Sequence, residues 1–301
     1  RIVAQITKQG FVYVLDRVTG EPVWPIEERP VPQSDVPGER SSPTQPFPTK
    51  PPAFDLQGIG EDDLIDFTPE LRAEAVEILR QYRYGPLYTP PSLFEEEGTK
   101  GTLLVPGTLG GANWPGASAD PENGILYVAS ATDPQLVALH KPDPARSEFD
   151  WVRGGSMQVL GPQGLPLTKP PWGRITAIDL NRGEILWTIP NGPAPRHVRE
   201  HPALAGIDLP WTGHGGRGGT MVTATLLFAG EGSGLYNSFP GAGGPMLRAY
   251  DKLTGEMLAE IELPANQAGV PMTYMVDGKQ YIAVAVGARD HPAELVALAL
   301  P

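Results

Sequence analysis

Few side chains in this 301-residue sequence are typed and spaced for chemistry. There is no cysteine, which removes thiolate nucleophiles, disulfides and Cys-ligated zinc. His197 and His201 stand four apart, a spacing that can put two imidazoles on one helix face as metal ligands. Pro195 and Pro202 flank them, no glutamate sits where a metalloprotease helix carries its base, and no third ligand is evident. Gly213-His-Gly-Gly-Arg-Gly-Gly219 and Gly230-Glu-Gly-Ser-Gly234 have the composition of phosphate cradles. Neither ends in Gly-Lys-Ser/Thr or opens a helix, so tight turns between strands account for them better. Glu61-Asp62-Asp63 and Glu95-Glu-Glu97 read as solvated charge, and no Ser/His/Asp triad follows from spacing. By residue type alone Lys8 is a solvated turn lysine and Trp114 a core aromatic.

The elements that must position these residues come from a repeat. Val14-Leu-Asp-Arg-Val-Thr-Gly-Glu-Pro-Val-Trp24, Ala177-Ile-Asp-Leu-Asn-Arg-Gly-Glu-Ile-Leu-Trp187 and Ala249-Tyr-Asp-Lys-Leu-Thr-Gly-Glu-Met-Leu-Ala259 share one plan. A β-rich run ends in Asp, a short turn closes on Gly-Glu, and a second apolar run follows. The plan predicts a hairpin in which Asp16, Asp179 and Asp251 bond their own backbone and Gly20, Gly183 and Gly255 take positive φ. Trp24 and Trp187 close two copies and suit packing between stacked sheets. Ala259 stands there in the third, so that copy is degraded. Recurrence over most of the chain marks a repeat architecture.

Composition agrees. Gly 36 and Pro 35 suit short strands joined by many turns. A formal net charge of -12 argues against nucleic acid or an anionic membrane as partner. No run reaches the length of a membrane span, and Arg1-Ile-Val-Ala-Gln-Ile-Thr-Lys8 already reads as a strand rather than a signal peptide, as if the chain began inside a sheet. Residues 25–60 are Pro-rich and predict a long irregular excursion. Thr68 to Tyr84 predicts a helix, with Thr68 as cap, Pro69 at the first position and Gly85 as stop. Residues 131–171 read as a second weakly ordered insertion. With insertions at about 25–100 and 131–171 set aside, residues 1–301 hold roughly four propeller-blade lengths in one repetitive sheet system.

The repeat Ala-x-Asp-x-x-x-Gly-Glu-x-x-Trp resembles the tryptophan-docking motif of pyrroloquinoline-quinone-dependent dehydrogenases, which are eight-bladed β-propellers. Thr7-Lys-Gln-Gly-Phe-Val-Tyr-Val-Leu-Asp-Arg17, Glu27-Glu-Arg-Pro-Val-Pro-Gln33 with Pro43-Thr-Gln-Pro-Phe47, Trp172-Gly-Arg-Ile-Thr-Ala-Ile-Asp179 and Gly269-Val-Pro-Met-Thr-Tyr-Met-Val-Asp-Gly-Lys-Gln-Tyr281 are similar to its glucose/quinate/polyol branch. The resemblance runs along nearly the whole chain and corresponds to the C-terminal half of such an enzyme. It implies an all-β fold, part of an eight-bladed propeller. It also implies oxidation of a sugar or polyol alcohol group, hydride passing to pyrroloquinoline quinone and electrons to a membrane quinone or cytochrome in the periplasm. It places Lys8 at the quinone oxygen, Asn113 and Trp114 beside the cofactor, and Ser130 where many members have a quinone-bonding Asn. The catalytic Asp and the Ca²⁺ ligands fall upstream of Lys8, in the missing N-terminal half, so the fragment alone is expected to be inactive. Arg289-Asp-His-Pro-Ala293 is shorter than the family's Gly-rich loop. The rival expectation is a non-catalytic propeller scaffold that binds peptide strands at a sheet edge.

Overall fold

The computed structural model describes residues 1–155, 159–216, 218–232 and 243–300. The β-rich runs become antiparallel strands joined mostly to their sequence neighbours, an arrangement that satisfies backbone groups locally. Four such sheets succeed one another. The first pairs Ile2–Ile6 with Val12–Asp16, and the chain at Pro22 and Val23 continues it outward. The second runs Ala117–Asp120, Ile125–Ala131, Gly173–Asp179, Glu184–Pro190. The third runs Thr220–Val222, Leu226–Gly230, Met246–Asp251, Met257–Glu262. The fourth holds Met272–Val276, Lys279–Ala288 and His291–Ala299. This is the expected all-β, propeller-type architecture, a row of blades with no closed barrel.

The repeated turn forms as its residues dictate. Asp16 Oδ1 accepts from the NH groups of Val18 and Thr19, Asp179 Oδ1 from Asn181 and Arg182, and Asp251 Oδ1 from Leu253 and Thr254. Gly20, Gly183 and Gly255 have φ of 77°, 68° and 76°, the left-handed region that a side chain disfavours. A fourth turn of this kind, unmarked in the repeat, is Asp120-Pro-Glu-Asn-Gly124. There Asp120 Oδ1 accepts from Glu122 NH, and Gly124 has φ 69°.

The tryptophans tie one sheet to the next. The Trp24 ring lies on Gly183, where an added Cβ would come within 2.9 Å of it, and the Trp187 ring lies on Gly255 at 3.1 Å. Glycine is required there by contact as well as by φ. Each junction is an apolar layer. Val12, Val14, Leu126, Val128 and Ile178 pack with Trp24; Tyr127, Ile175, Ala177, Leu227 and Tyr250 pack with Trp187. Leu247, Leu263, Val284 and Val286 make the third junction, which has no tryptophan.

The insertions are more ordered than their composition predicts. Within 25–60, Ile26–Pro30 pairs with Thr44–Pro48 as a hairpin. It is a two-stranded ribbon whose outer edges need no donors, so prolines are tolerated. Within 131–171, Gln135–His140 pairs with Val152–Gly154, with Ser92–Leu93 and with Thr102–Leu104. The helix is shorter than expected, Pro69–Leu79, with Thr68 Oγ1 accepting from Leu71 NH. It stops before Gly85 because Arg83 is taken by a strand: its NH donates to Gly101 O and its carbonyl accepts from Leu103 NH. Leu71, Ala75 and Leu79 bury against Leu64, Ile65, Leu165, Leu167 and Trp172 in a core of their own.

Antiparallel pairing fixes where function can gather. The Asp-to-Gly turns all lie at one end of the sheets. The turn holding Lys8, Ala117, Thr132, Trp172, Asn191, Gly230 and Met246 all lie at the other.

Candidate functional site

At that second end the chain bends sharply between Ile6 and Val12. Thr7 NH donates to Phe11 O, and Gly10 turns at φ 84°. Lys8 is thereby projected onto the loop 107–114. Its Nζ donates to Thr108 O at 3.0 Å and its carbonyl accepts from Gly111 NH at 3.0 Å. Gly110, at φ 81°, lets the two segments touch, since a Cβ there would stand 2.6 Å from the Lys8 side chain. A cavity of about 440 Å³ opens beside them, with Lys8, Gln45, Tyr88, Pro106 and Thr108 in its wall.

Asn113 is on the same loop but spends its amide locally. Nδ2 donates to Leu109 O at 2.8 Å, and Oδ1 accepts from Trp114 NH at 2.9 Å. It shapes the loop that presents Trp114. The bland expectation for Trp114, a core aromatic, is corrected: the residue is 95% exposed, because it sits in a turn (Gly116 NH donates to Asn113 O) that no sheet among the described residues covers. Ser130 is buried, and its Oγ has no hydrogen-bond partner among the described residues. Its neighbour Ala131 donates its NH to Gly111 O at 2.9 Å, which ties the end of that strand to the Lys8 loop. Thus the Lys8 turn rests on the loop that carries Asn113 and Trp114, and Ser130 is next in sequence to Ala131, which bonds that loop.

Nothing in the sequence marks Asp55, which lies beneath the same loop. Phe54 NH donates to Gly10 O and Gln57 Nε2 to Gln9 O, clamping residues 54–57 to the Lys8 turn. Asp55 Oδ1 accepts from Thr132 Oγ1 at 2.6 Å and from Leu56 NH at 2.7 Å, with the Arg174 guanidinium at 3.6 Å. Its other oxygen has no hydrogen-bond partner among the described residues and points at Gly111, where a Cβ would lie 2.8 Å away. Thr132, Lys169, Arg174 and Thr188 line a second cavity of about 380 Å³ with it. A lone Asp in the run Pro51-Pro-Ala-Phe-Asp55 carries no periodic or motif signal. Asp55 shows only in its contacts with residues far along the chain, among them Thr132, 77 positions away.

On the third sheet the same end holds a buried ion cluster. Glu231 is 2.7 Å from Arg248, which also meets Glu260 at 3.1 Å and lies over the Trp211 ring at 5.3 Å. Burial works against the Arg248 charge, but Glu231 more than offsets this and holds the guanidinium above its ordinary value. The imidazole of His214 is 3.6 Å from Glu231. The glycine runs serve this packing: a Cβ on Gly216 or Gly244 would run into Glu231. Part of both runs, 217 and 233–234, lies outside the described residues. His201 Nδ1 accepts from Ala203 NH and its Nε2 faces Gln163 O. Burial and the neighbouring His201 and His214 charges push His197 down. No group of three metal-ligating side chains occurs among the described residues, nor does any helix there have the length and apolarity to cross a membrane.

Comparison with known proteins identifies the family of the chain. A sequence profile described as "PQQ: Glucose/ethanol/alcohol dehydrogenase, beta-propeller domain" matches residues 1–282. The probable quinate dehydrogenase (quinone) of Xanthomonas campestris pv. juglandis is 32% identical over 98% of this chain and 38% of its own length. The glycerol dehydrogenase large subunit of Gluconobacter thailandicus is 33% identical over 98% and 42%. The quinoprotein glucose dehydrogenase of Escherichia coli K12 is 32% identical over 93% and 35%. The chain therefore spans about two fifths of the length of the curated relatives it matches. Among solved structures, the quinohemoprotein alcohol dehydrogenase of Comamonas testosteroni matches 99% of this chain and 35% of its own, with a TM-score of 0.51 and 21% identity, a likeness of fold. With the profile spanning nearly all of its sheets, the chain belongs to the PQQ-dependent dehydrogenase β-propeller family.

Proposed function

We propose that this chain forms one wall of a pyrroloquinoline quinone site, in a protein that oxidises an alcohol group of a sugar or polyol. The observation that carries this reading is a lysine amine bonded to Thr108 O on the glycine-rich loop that further along presents the exposed Trp114. When bound, pyrroloquinoline quinone supplies the carbonyl carbon that takes up hydride from the alcohol. Lys8 holds positive charge where a quinone oxygen gains electron density. Trp114 offers a flat apolar face to a flat ring, and Asn113 sets the angle of that face. The buried Ser130 hydroxyl has a hydrogen bond to give. Asp55, held by Thr132 and Arg174, backs the loop from below. The donor set fits one side of a flat, electron-accepting ligand. In this reading the carboxylate base and the Ca²⁺ ligands come from the rest of the protein. The electron acceptor is a membrane quinone or a cytochrome, and the compartment is the periplasm.

The test is reconstitution of the full-length protein with pyrroloquinoline quinone and Ca²⁺, followed by dye reduction with glucose, glycerol and quinate. Cofactor uptake, followed separately by absorbance, should fall at least tenfold in Lys8→Ala and less in Ser130→Ala. No uptake by the wild-type protein and no dye reduction with any of the three would sink the proposal and favour a binding scaffold.

A further inference from the structure

The second and third sheets carry corresponding surfaces in the same register, an aromatic ring and an alanine in both, but a tryptophan in the second where the third has alanine. On the second, Ala177 stands between Tyr127 and Trp187 in neighbouring strands; on the third, Ala249 stands between Phe228 and Ala259. Both outer strands bulge at the same step, after Ala177 and after Ala249. Tyr127 is fully buried, with the Trp187 ring 5.9 Å from its own, and Ile189 completes the layer. Among the described residues Phe228 has no such ring beside it, and it is half-buried. In place of the indole there is a groove of about 310 Å³ between the third and fourth sheets. Phe228, Ala249, Ala259 and Ile261 form one wall; Ile282 and Leu298 stand on the other.

We propose that this groove is a binding site for a small planar aromatic molecule of indole size. The choice of occupant comes from the protein itself, because the matching position one sheet earlier is filled by an indole lying on the same kind of wall. An apolar cavity smaller than this one, about 150 Å³, is enough to hold a benzene ring. Alanine leaves the missing ring's contacts unmade, and a free ligand regains them along with the burial of Phe228. The site lies away from the Lys8 loop and does not depend on the cofactor reading.

Equilibrium dialysis of the full chain against indole tests this, with cyclohexanol as a non-planar control. Saturable uptake of a single equivalent of indole is expected, with at least tenfold weaker retention of cyclohexanol. Ala259→Trp should abolish uptake and raise the melting temperature. Should that variant fail to fold, Ala259→Phe serves instead, with a partial loss of uptake and an unchanged far-ultraviolet spectrum. No saturable uptake by the wild type, or equal uptake by the folded variant, overturns the proposal. So does a concentration-dependent dimer of the wild type that Ala259→Trp dissolves, which would assign the groove to a second copy of the chain.

Discussion

At the end of the sheets where Asp16, Asp179 and Asp251 sit, each turn closes on itself, with every carboxylate bonded to NH groups two and three residues ahead. At the opposite end the partners are remote: Lys8 reaches Thr108 across 100 positions and Asp55 reaches Thr132 across 77. The first end is a set of interchangeable parts. In the second, Lys8 and Asp55 are held by groups supplied by other excursions of the chain. A change at the first end should therefore be absorbed where it falls, and a change at the second should loosen segments distant in sequence.

The sharpest way to break that contrast is Lys252, which sits in a local turn yet donates to Asp120 at 2.6 Å across 132 positions, with both side chains buried. Lys252→Met leaves a buried carboxylate without its cation, and a loss of about 4 kcal/mol in urea unfolding is expected. The pair also sets an acid limit. Although burial alone would raise it, Asn123, Lys252 and the turn NH groups hold the Asp120 carboxyl down at about 2. Its stabilisation is thus present above the ordinary carboxylate range and is lost as pH falls through about 2. In Lys252→Met the acid transition should move to higher pH, as followed by circular dichroism.

Trp187→Ala comes next, at about 3 kcal/mol, since it empties a junction that is otherwise packed. A fall much smaller than that would mean the docking rings contribute little to holding adjacent sheets. Gly110→Ala follows at about 2 kcal/mol, from strained φ and the collision with Lys8. It should weaken cofactor uptake more than it lowers the melting temperature, because the loop can yield only by withdrawing the lysine. The smallest effect is expected for Asp16→Asn. The NH groups of Thr19 and Val18 hold the Asp16 carboxyl below its usual value, so the wild-type advantage exists above the carboxylate range and closes as pH falls through the lowered one. Melting curves of the two proteins should converge in acid.

The same contrast explains what was legible in the amino-acid sequence. Hairpins, turn glycines and the docking tryptophans could be read because each is specified by residues a few positions apart. Asp120 escaped although its turn is built alike, because Pro-Glu-Asn replaces the recurring turn residues. Lys8, Asn113, Trp114 and Ser130 were reached through resemblance rather than spacing. The structure lays Lys8 against the loop that carries Asn113 and Trp114 and ties Ala131, next to Ser130, to that loop. Asp55 and the Glu231–Arg248 pair could not be foreseen, because nothing local distinguishes a carboxylate that will be buried from one left in water. The Pro-rich segment misled in the other direction, since proline forbids a central strand but not a two-stranded ribbon.

Because each indole rests on the turn glycine of the very next sheet, cohesion passes along this chain link by link, much as it does in solenoids. Unfolding need not be a single event. The link between the third and fourth sheets lacks its ring, and there amide exchange should report a terminal segment, Met272–Ala299, that opens while the links built on Trp24 and Trp187 still hold.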